Sequence, residues 1–199
     1  MPDDVGHAVP SATGALSWAP TDPGAQEAVP QGAAPQEDER LRADFRRAVG
    51  RFATGVTVVS TCPRGVDHAM TANAFTSVSL DPPLVLVCVE TQARFHDAVL
   101  ESGRWAVSIL SAQGRPAASW LATRGRPVVG QLDGVPHRRG EYSGAALVDA
   151  AVAWLECRTQ AVHPAGDHSI VVGEVVRAEL GGPGERVLVY HTSAYRELG

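Results

Sequence analysis

Met70-Thr71-Ala72-Asn73-Ala74-Phe75-Thr76-Ser77-Val78-Ser79-Leu80-Asp81-Pro82-Pro83-Leu84-Val85-Leu86-Val87-Cys88-Val89-Glu90 is the stretch from which the fold can be read. Small hydroxyl and amide residues alternate with apolar ones, a Pro-Pro corner follows, and an unbroken apolar run comes after it. That order describes strand, turn and buried strand. Thr71, Asn73, Thr76, Ser77 and Ser79 also give the first strand and turn the hydrogen-bonding groups suited to a flat polar ligand.

Working outward, β-branched and apolar runs recur at Val56–Thr61, Trp105–Leu110, Ala153–Val162, Ser169–Leu180 and Val187–His191. The last long pair is separated by His163-Pro164-Ala165-Gly166-Asp167, whose Pro and Gly predict a turn. Two short helices are predicted near Phe95–Glu101 and Gln113–Ala122, and a longer one from Glu37 to Phe52. In the longer one Leu41, Phe45, Val49 and Phe52 form one apolar stripe, with Arg42, Arg46, Arg47 and Arg51 on the other faces. Strands without regular βαβ alternation predict an α+β fold, mainly antiparallel β, with peripheral helices around a compact barrel.

Residues 1–37 read differently. The first 39 residues hold seven acidic groups and no Arg, and six of the chain's 14 prolines fall before residue 36. Such a composition predicts a disordered acidic tail, followed by one domain over 38–199. At 199 residues and 44% hydrophobic content, the chain can bury one sizeable core. No apolar run approaches the roughly 20 residues of a membrane helix.

Composition excludes several chemistries. All 17 basic residues are Arg and none is Lys, which removes a Walker A loop, a Schiff-base enzyme and a lysine general base. The seven His show no HxH or HExxH spacing, so no metal is expected. Neither a GxSxG elbow nor a GxGxxG loop is present. Four Arg on one helix without interleaved aromatics read as a solvated face, not a nucleic-acid surface. Cys62, Cys88 and Cys157 form no CxxC pair, and the chain opens without a basic-then-apolar leader pattern, so a cytoplasmic location with free thiols is expected.

Four motifs in order carry a resemblance. They are Phe52-Ala53-Thr54-Gly55-Val56-Thr57-Val58-Val59, the 70–85 stretch, Leu155-Glu156-Cys157, and Gly166-Asp167-His168-Ser169-Ile170 with Val172-Gly173-Glu174-Val175. From about residue 41 to 196 the chain resembles the flavin reductase components of two-component monooxygenases. The resemblance implies a split β-barrel FMN-binding fold, usually a homodimer, to which Trp154 and Leu155 are candidate contributors. It further implies that NADH or NADPH reduces FAD or FMN, which is released to a separate oxygenase or halogenase.

The same resemblance assigns residues. Thr54, Thr71, Ala72, Asn73, Ala74, Ser77 and Val78, with the strand end Cys88-Val89-Glu90, would line the flavin, and Gly166-Asp167 would form the turn presenting His168. His168 would orient the nicotinamide rather than transfer a proton, because hydride passes directly between two aligned rings. Many relatives carry a Ser-x-[Ser/Arg]-Thr run suited to phosphate where this chain has Gln92-Ala93-Arg94-Phe95-His96. Arg94 and His96 are the candidates to replace those hydroxyls, since a guanidinium fork matches phosphate oxygens; a solvated Arg at a helix start fits the spacing equally well. The alternative function is a flavin-binding carrier, sensor or subunit without nicotinamide turnover.

Overall fold

The structure, a computed structural model, describes residues 35–182 and 186–198. The chain divides into two units, Met1–Arg42 and Ala43–Gly199. The disorder expected of the tail falls on residues 1–34, outside the described residues, but its last three positions are helical. Helix α1 runs Pro35–Val49, two residues earlier than predicted at its start and three earlier at its end. Proline is tolerated in a first helical turn, and Glu37 and Asp38 there complement the helix dipole.

Helix α1 aside, the chain is a series of strands. They are β1 Thr54–Gly55, β2 Thr57–Thr61, β3 His68–Ala72, β4 Phe75–Leu80, β5 Pro83–Glu90, β6 Arg104–Leu110, β7 His137–Arg139, β8 Ala146–Val148, β9 Ala151–Ala165, β10 His168–Leu180, β11 Val187–His191 and β12 Ala194–Leu198. Helices α2 Arg94–Ser102 and α3 Arg115–Ala122 interrupt them. Seven strands form the main sheet in the order β3-β2-β6-β9-β10-β5-β4, three form a second in the order β1-β11-β12, and β7 pairs with β8. Every pairing is antiparallel, as the absence of βαβ alternation predicts.

Strand alternation splits the interior in two. On β2, Val58 enters a cluster with Leu110, Leu121, Leu132 and Leu188, while its neighbour Val59 enters another with Val85, Val87, Val89, Phe95, Val99, Trp105 and Val107. Each fully buried Val or Leu contributes about 1.5–3 kcal/mol relative to exposure. Phe95 and Val99 are the inward face of α2, so that short helix is fixed by the second cluster. Its C-terminus closes on Gly103 at φ 62°, with the Gly103 N–H donating to the Val99 carbonyl.

Two expectations change. The turn between β9 and β10 is only Gly166-Asp167, since β9 continues through His163, Pro164 and Ala165. Beyond Arg158, β9 no longer pairs with β6, so the missing N–H of Pro164 breaks no ladder. The α1 stripe also differs: Phe45, Val49 and Phe52 lie 63%, 50% and 75% exposed rather than buried. Trp154 is engaged inside its own chain, its indole N–H donating to the Val148 carbonyl at 2.7 Å and Arg138 lying 4.8 Å over its ring.

Among the described residues, no helix is long and apolar enough to cross a membrane, and no three His, Cys, Asp or Glu side chains are grouped to hold a metal ion.

Candidate active site

Strand β5 is the axis of the site. Its period of two sends Val85, Val87 and Val89 into the core and Leu86, Cys88 and Glu90 to the other face. Ile170 lies opposite Cys88 and His168 opposite Glu90 on β10, while the Cys88 N–H donates to the Ala74 carbonyl at 3.0 Å on the other side. Cross-strand partners share a face. Cys88, Glu90, Ile170 and His168 therefore stand on one wall, with Ala74 at its border.

The turn after β9 is tied to the end of β5. The Asp167 carbonyl accepts from the Thr91 N–H at 3.0 Å and from the Thr91 hydroxyl at 3.1 Å. Gly166, at φ 65°, takes the left-handed conformation that the tight reversal requires. His168 Nδ1 lies 2.7 Å from Asp167 Oδ1. That contact, and then the imidazole's charge, hold the Asp167 carboxyl below the usual carboxylate range. His168 thus stands at the hairpin tip with one ring nitrogen engaged and its other free to face a ligand.

Beside Glu90 opens a cleft of about 400 Å³, walled by His68 and Thr71 of β3, Gln92 to Phe95 at the start of α2, and the loop 123–131 after α3. Gln131 fixes that loop: its amide donates to the Asp67 carbonyl at 2.6 Å, and its own carbonyl accepts from Trp120 Nε1 at 2.7 Å. Arg126 Nη1 donates to the Thr123 carbonyl at 2.7 Å, and its Nη2 donates to the Ala69 carbonyl. Arg94 donates to the Arg126 carbonyl, and Arg124 donates from its Nη2 alone to both carboxylate oxygens of Glu90, at 2.9 and 3.2 Å. The field is positive. Burial, then the charge of Arg94, lower the His68 imidazole below its ordinary value. The same two causes, in the same order, lower the Arg126 guanidinium.

The predicted site residues distribute unevenly. Thr71, Glu90 and Arg94 line the cleft, though the Thr71 hydroxyl also donates to the Ala118 carbonyl at 2.7 Å. Ala72 and Val89 belong to the core, so only their backbone is open to a ligand. Asn73 and Ala74 are exposed in the bend between β3 and β4. Ser77 pairs with Val85, a core-facing residue, which puts it on the face opposite Cys88; it and Val78 are exposed because β4 is the sheet's edge. Thr54 lies in the three-stranded sheet opposite Tyr190, its hydroxyl buried without a partner. His96 stands apart from the cleft lining: its Nε2 lies 3.0 Å from Ser169 Oγ, which pins α2 to β10, and its Nδ1 lies 3.2 Å from Asp97 on the same helix. The helical periodicity explains the split, because Arg94 and His96, two residues apart, cannot share a helix face.

Residues 49–199 match the flavin reductase like domain. The chain belongs to the flavin reductase-like family. It is 39% identical to the reductase component of 4-hydroxyphenylacetate 3-monooxygenase from Thermus thermophilus, over 79% of this chain and 97% of the relative. Among solved structures, the flavin reductase component of a bacterial two-component tryptophan halogenase is 46% identical, with a TM-score of 0.74 over 79% of this chain and 98% of that one. A Streptomyces globisporus NADH:FAD oxidoreductase, solved with NAD and FAD fragments, is 38% identical with a TM-score of 0.75, over 85% and 97%.

The site fits such ligands on its own terms. A wall of Cys88 and Ile170 with the polar Glu90 and His168 at its end, beside a cleft rimmed by guanidinium groups, suits a flat ring joined to phosphate, and the orphaned Thr54 hydroxyl is a buried group in want of a partner. His68, Arg124, Arg126 and Gln131 escaped sequence reading. Thr123-Arg124-Gly125-Arg126-Pro127 does hold the signal of two Arg around a Gly in a Pro-punctuated loop, but nothing in its spacing says that it folds back onto β3 and β5.

Proposed function

We infer that this flavin reductase-like chain is an NAD(P)H-dependent flavin reductase that supplies reduced FAD or FMN to a separate oxygenase or halogenase. The observation that carries the reading is the likeness, at 39% and 46% identity over 79% of this chain and nearly the whole of each relative, to reductase components of a monooxygenase and a halogenase. When bound, the flavin supplies a two-electron acceptor and the reduced nicotinamide supplies the hydride. The protein's task is alignment. Cys88, Ala74 and Glu90 present a wall for the ring, Asn73 offers an amide to its polar edge, and Arg94 meets phosphate. His168, steadied by Asp167, orients the nicotinamide against that wall.

The test is NADH and NADPH oxidation, followed by loss of absorbance, with FAD, FMN or neither added. Turnover that depends on added flavin supports the reading. Tight flavin binding without nicotinamide oxidation would replace it with a carrier.

The functional form is a homodimer. Phe45, Val49 and Phe52 form an exposed apolar row, and we propose that a second copy of the chain covers it, as the family resemblance implies. A monomeric mass by light scattering at micromolar concentration would overturn this.

A further inference from the structure

The Glu90–Arg124 pair spans the rim of the cleft in an unusual relation to its surroundings. Arg124 sits on the loop after α3 with a side chain 86% exposed, yet its Nη2 is turned back to a carboxylate that is 31% exposed at the end of β5. Around that carboxylate the cleft is otherwise cationic or neutral: His68, Arg94, Arg126, Gln92 and Gln131, with the hydroxyls of Thr71 and Thr123, complete the polar lining. Arg126 is the most constrained of these. Its two terminal nitrogens are bonded to carbonyls, its Nε is buried without a partner, and a guanidinium keeps its charge whatever its surroundings. Glu90 is thus the one anionic side chain among the cleft-lining residues.

We propose that Arg124 is a phosphate clasp and that Glu90 is its built-in competitor: the carboxylate holds one terminal nitrogen of the guanidinium and yields it to the phosphate or diphosphate of a bound nucleotide. The proposal rests on the flavin reductase reading. Arg94 and Arg126 supply the standing positive field, with Arg126 acting as a positioning residue that holds the loop to β3, and Arg124 supplies a guanidinium whose two terminal nitrogens can both turn to phosphate. The pairing has a consequence for release. An exposed ion pair is weak, so exchanging it for phosphate is nearly balanced, and a ligand that must leave again is not held too tightly. Removing the competitor therefore tightens binding, whereas an ordinary ligand contact would weaken it on removal.

The test compares the wild-type protein with Arg124→Gln and Glu90→Gln. Flavin affinities are measured by equilibrium titration with riboflavin, FMN and FAD, and KM values with NADH and with reduced nicotinamide mononucleotide. Arg124→Gln should weaken phosphate-bearing ligands roughly tenfold, leaving riboflavin unchanged. Glu90→Gln, which also changes the wall facing the ring, should tighten the same ligands about two- to fivefold relative to riboflavin. An effect on FMN and FAD assigns the clasp to the flavin's phosphate; an effect on NADH beyond that on the mononucleotide assigns it to the dinucleotide's diphosphate. Thermal unfolding near the wild-type Tm shows that both variants are folded. FMN-to-riboflavin and NADH-to-mononucleotide ratios that match wild type in both variants overturn the clasp, as does a Glu90→Gln variant that binds phosphate-bearing flavins more weakly relative to riboflavin. Wild-type protein that oxidises no nicotinamide with any flavin instead defeats the reductase reading, a separate outcome.

Discussion

Gly173 of β10 lies against the indole of Trp105 on β6, so close that an added Cβ would sit 2.4 Å from ring atom Cζ2 and 3.1 Å from the Cβ of Cys157. Two strands away from β6, β10 can approach this closely only where it has no side chain, and the ladder between β9 and β10 shifts register at Val172/Gly173. The Val-Gly-Glu-Val motif thus has a packing cause at its glycine.

Gly173→Ala should destabilise the protein by about 1–3 kcal/mol, since the added Cβ would overlap the ring of Trp105, which is fully buried. Chemical denaturation measures this. A variant within error of wild type would mean that the indole shifts without cost.

Asp67 gives a pH signature. The hydrogen bond from Arg139, opposed in part by burial, holds its carboxyl below the ordinary value of 3.8. A depressed folded-state value means that the carboxylate stabilises the fold at pH above 3.8 and that this contribution is lost as pH falls through the folded value. Asp67→Asn should therefore cost up to about 1 kcal/mol at neutral pH, discounted for solvent exposure, and nothing at the acid end. Stability curves of both proteins at neutral and strongly acidic pH test the convergence; a constant gap would place the effect elsewhere.

His168→Ala should leave oxidised flavin bound normally while lowering NADH efficiency, because a misaligned donor loses the proximity on which hydride transfer depends. Stopped-flow reduction at several NADH concentrations, paired with flavin titration, separates the two. Unchanged reduction rates and nicotinamide affinity would return His168 to a turn residue.

Asn73→Leu should weaken flavin binding by about 1–3 kcal/mol by leaving a polar ring edge unpaired. Asn73 is exposed in a bend, so the substitution has little structural cost to confuse the measurement. Affinity equal to wild type would show that Asn73 does not face the ring.

Much of the architecture was legible from local pattern alone. The β-branched runs, the Pro-Pro corner before β5 and the Gly166-Asp167 reversal follow from steric preferences within a few residues, and the order of four motifs pointed to the family before any distance was known. Where neighbouring strands lie decided the rest. The alternation of β5 says that Cys88 and Glu90 share a face, but only pairing with β10 puts His168 on it, and only the register of β4 sets Ser77 on the opposite one. Pro164 read as a turn because its missing N–H is costly in a paired ladder; it is strand here because that stretch of β9 has no β6 beside it. Arg124 and Arg126 were invisible as site residues for a related reason. Sequence determines what a loop can bond with, whereas its contact with β3 and β5, more than thirty residues away in the chain, depends on long-range burial that fixes Gln131 and Leu132 in the interior.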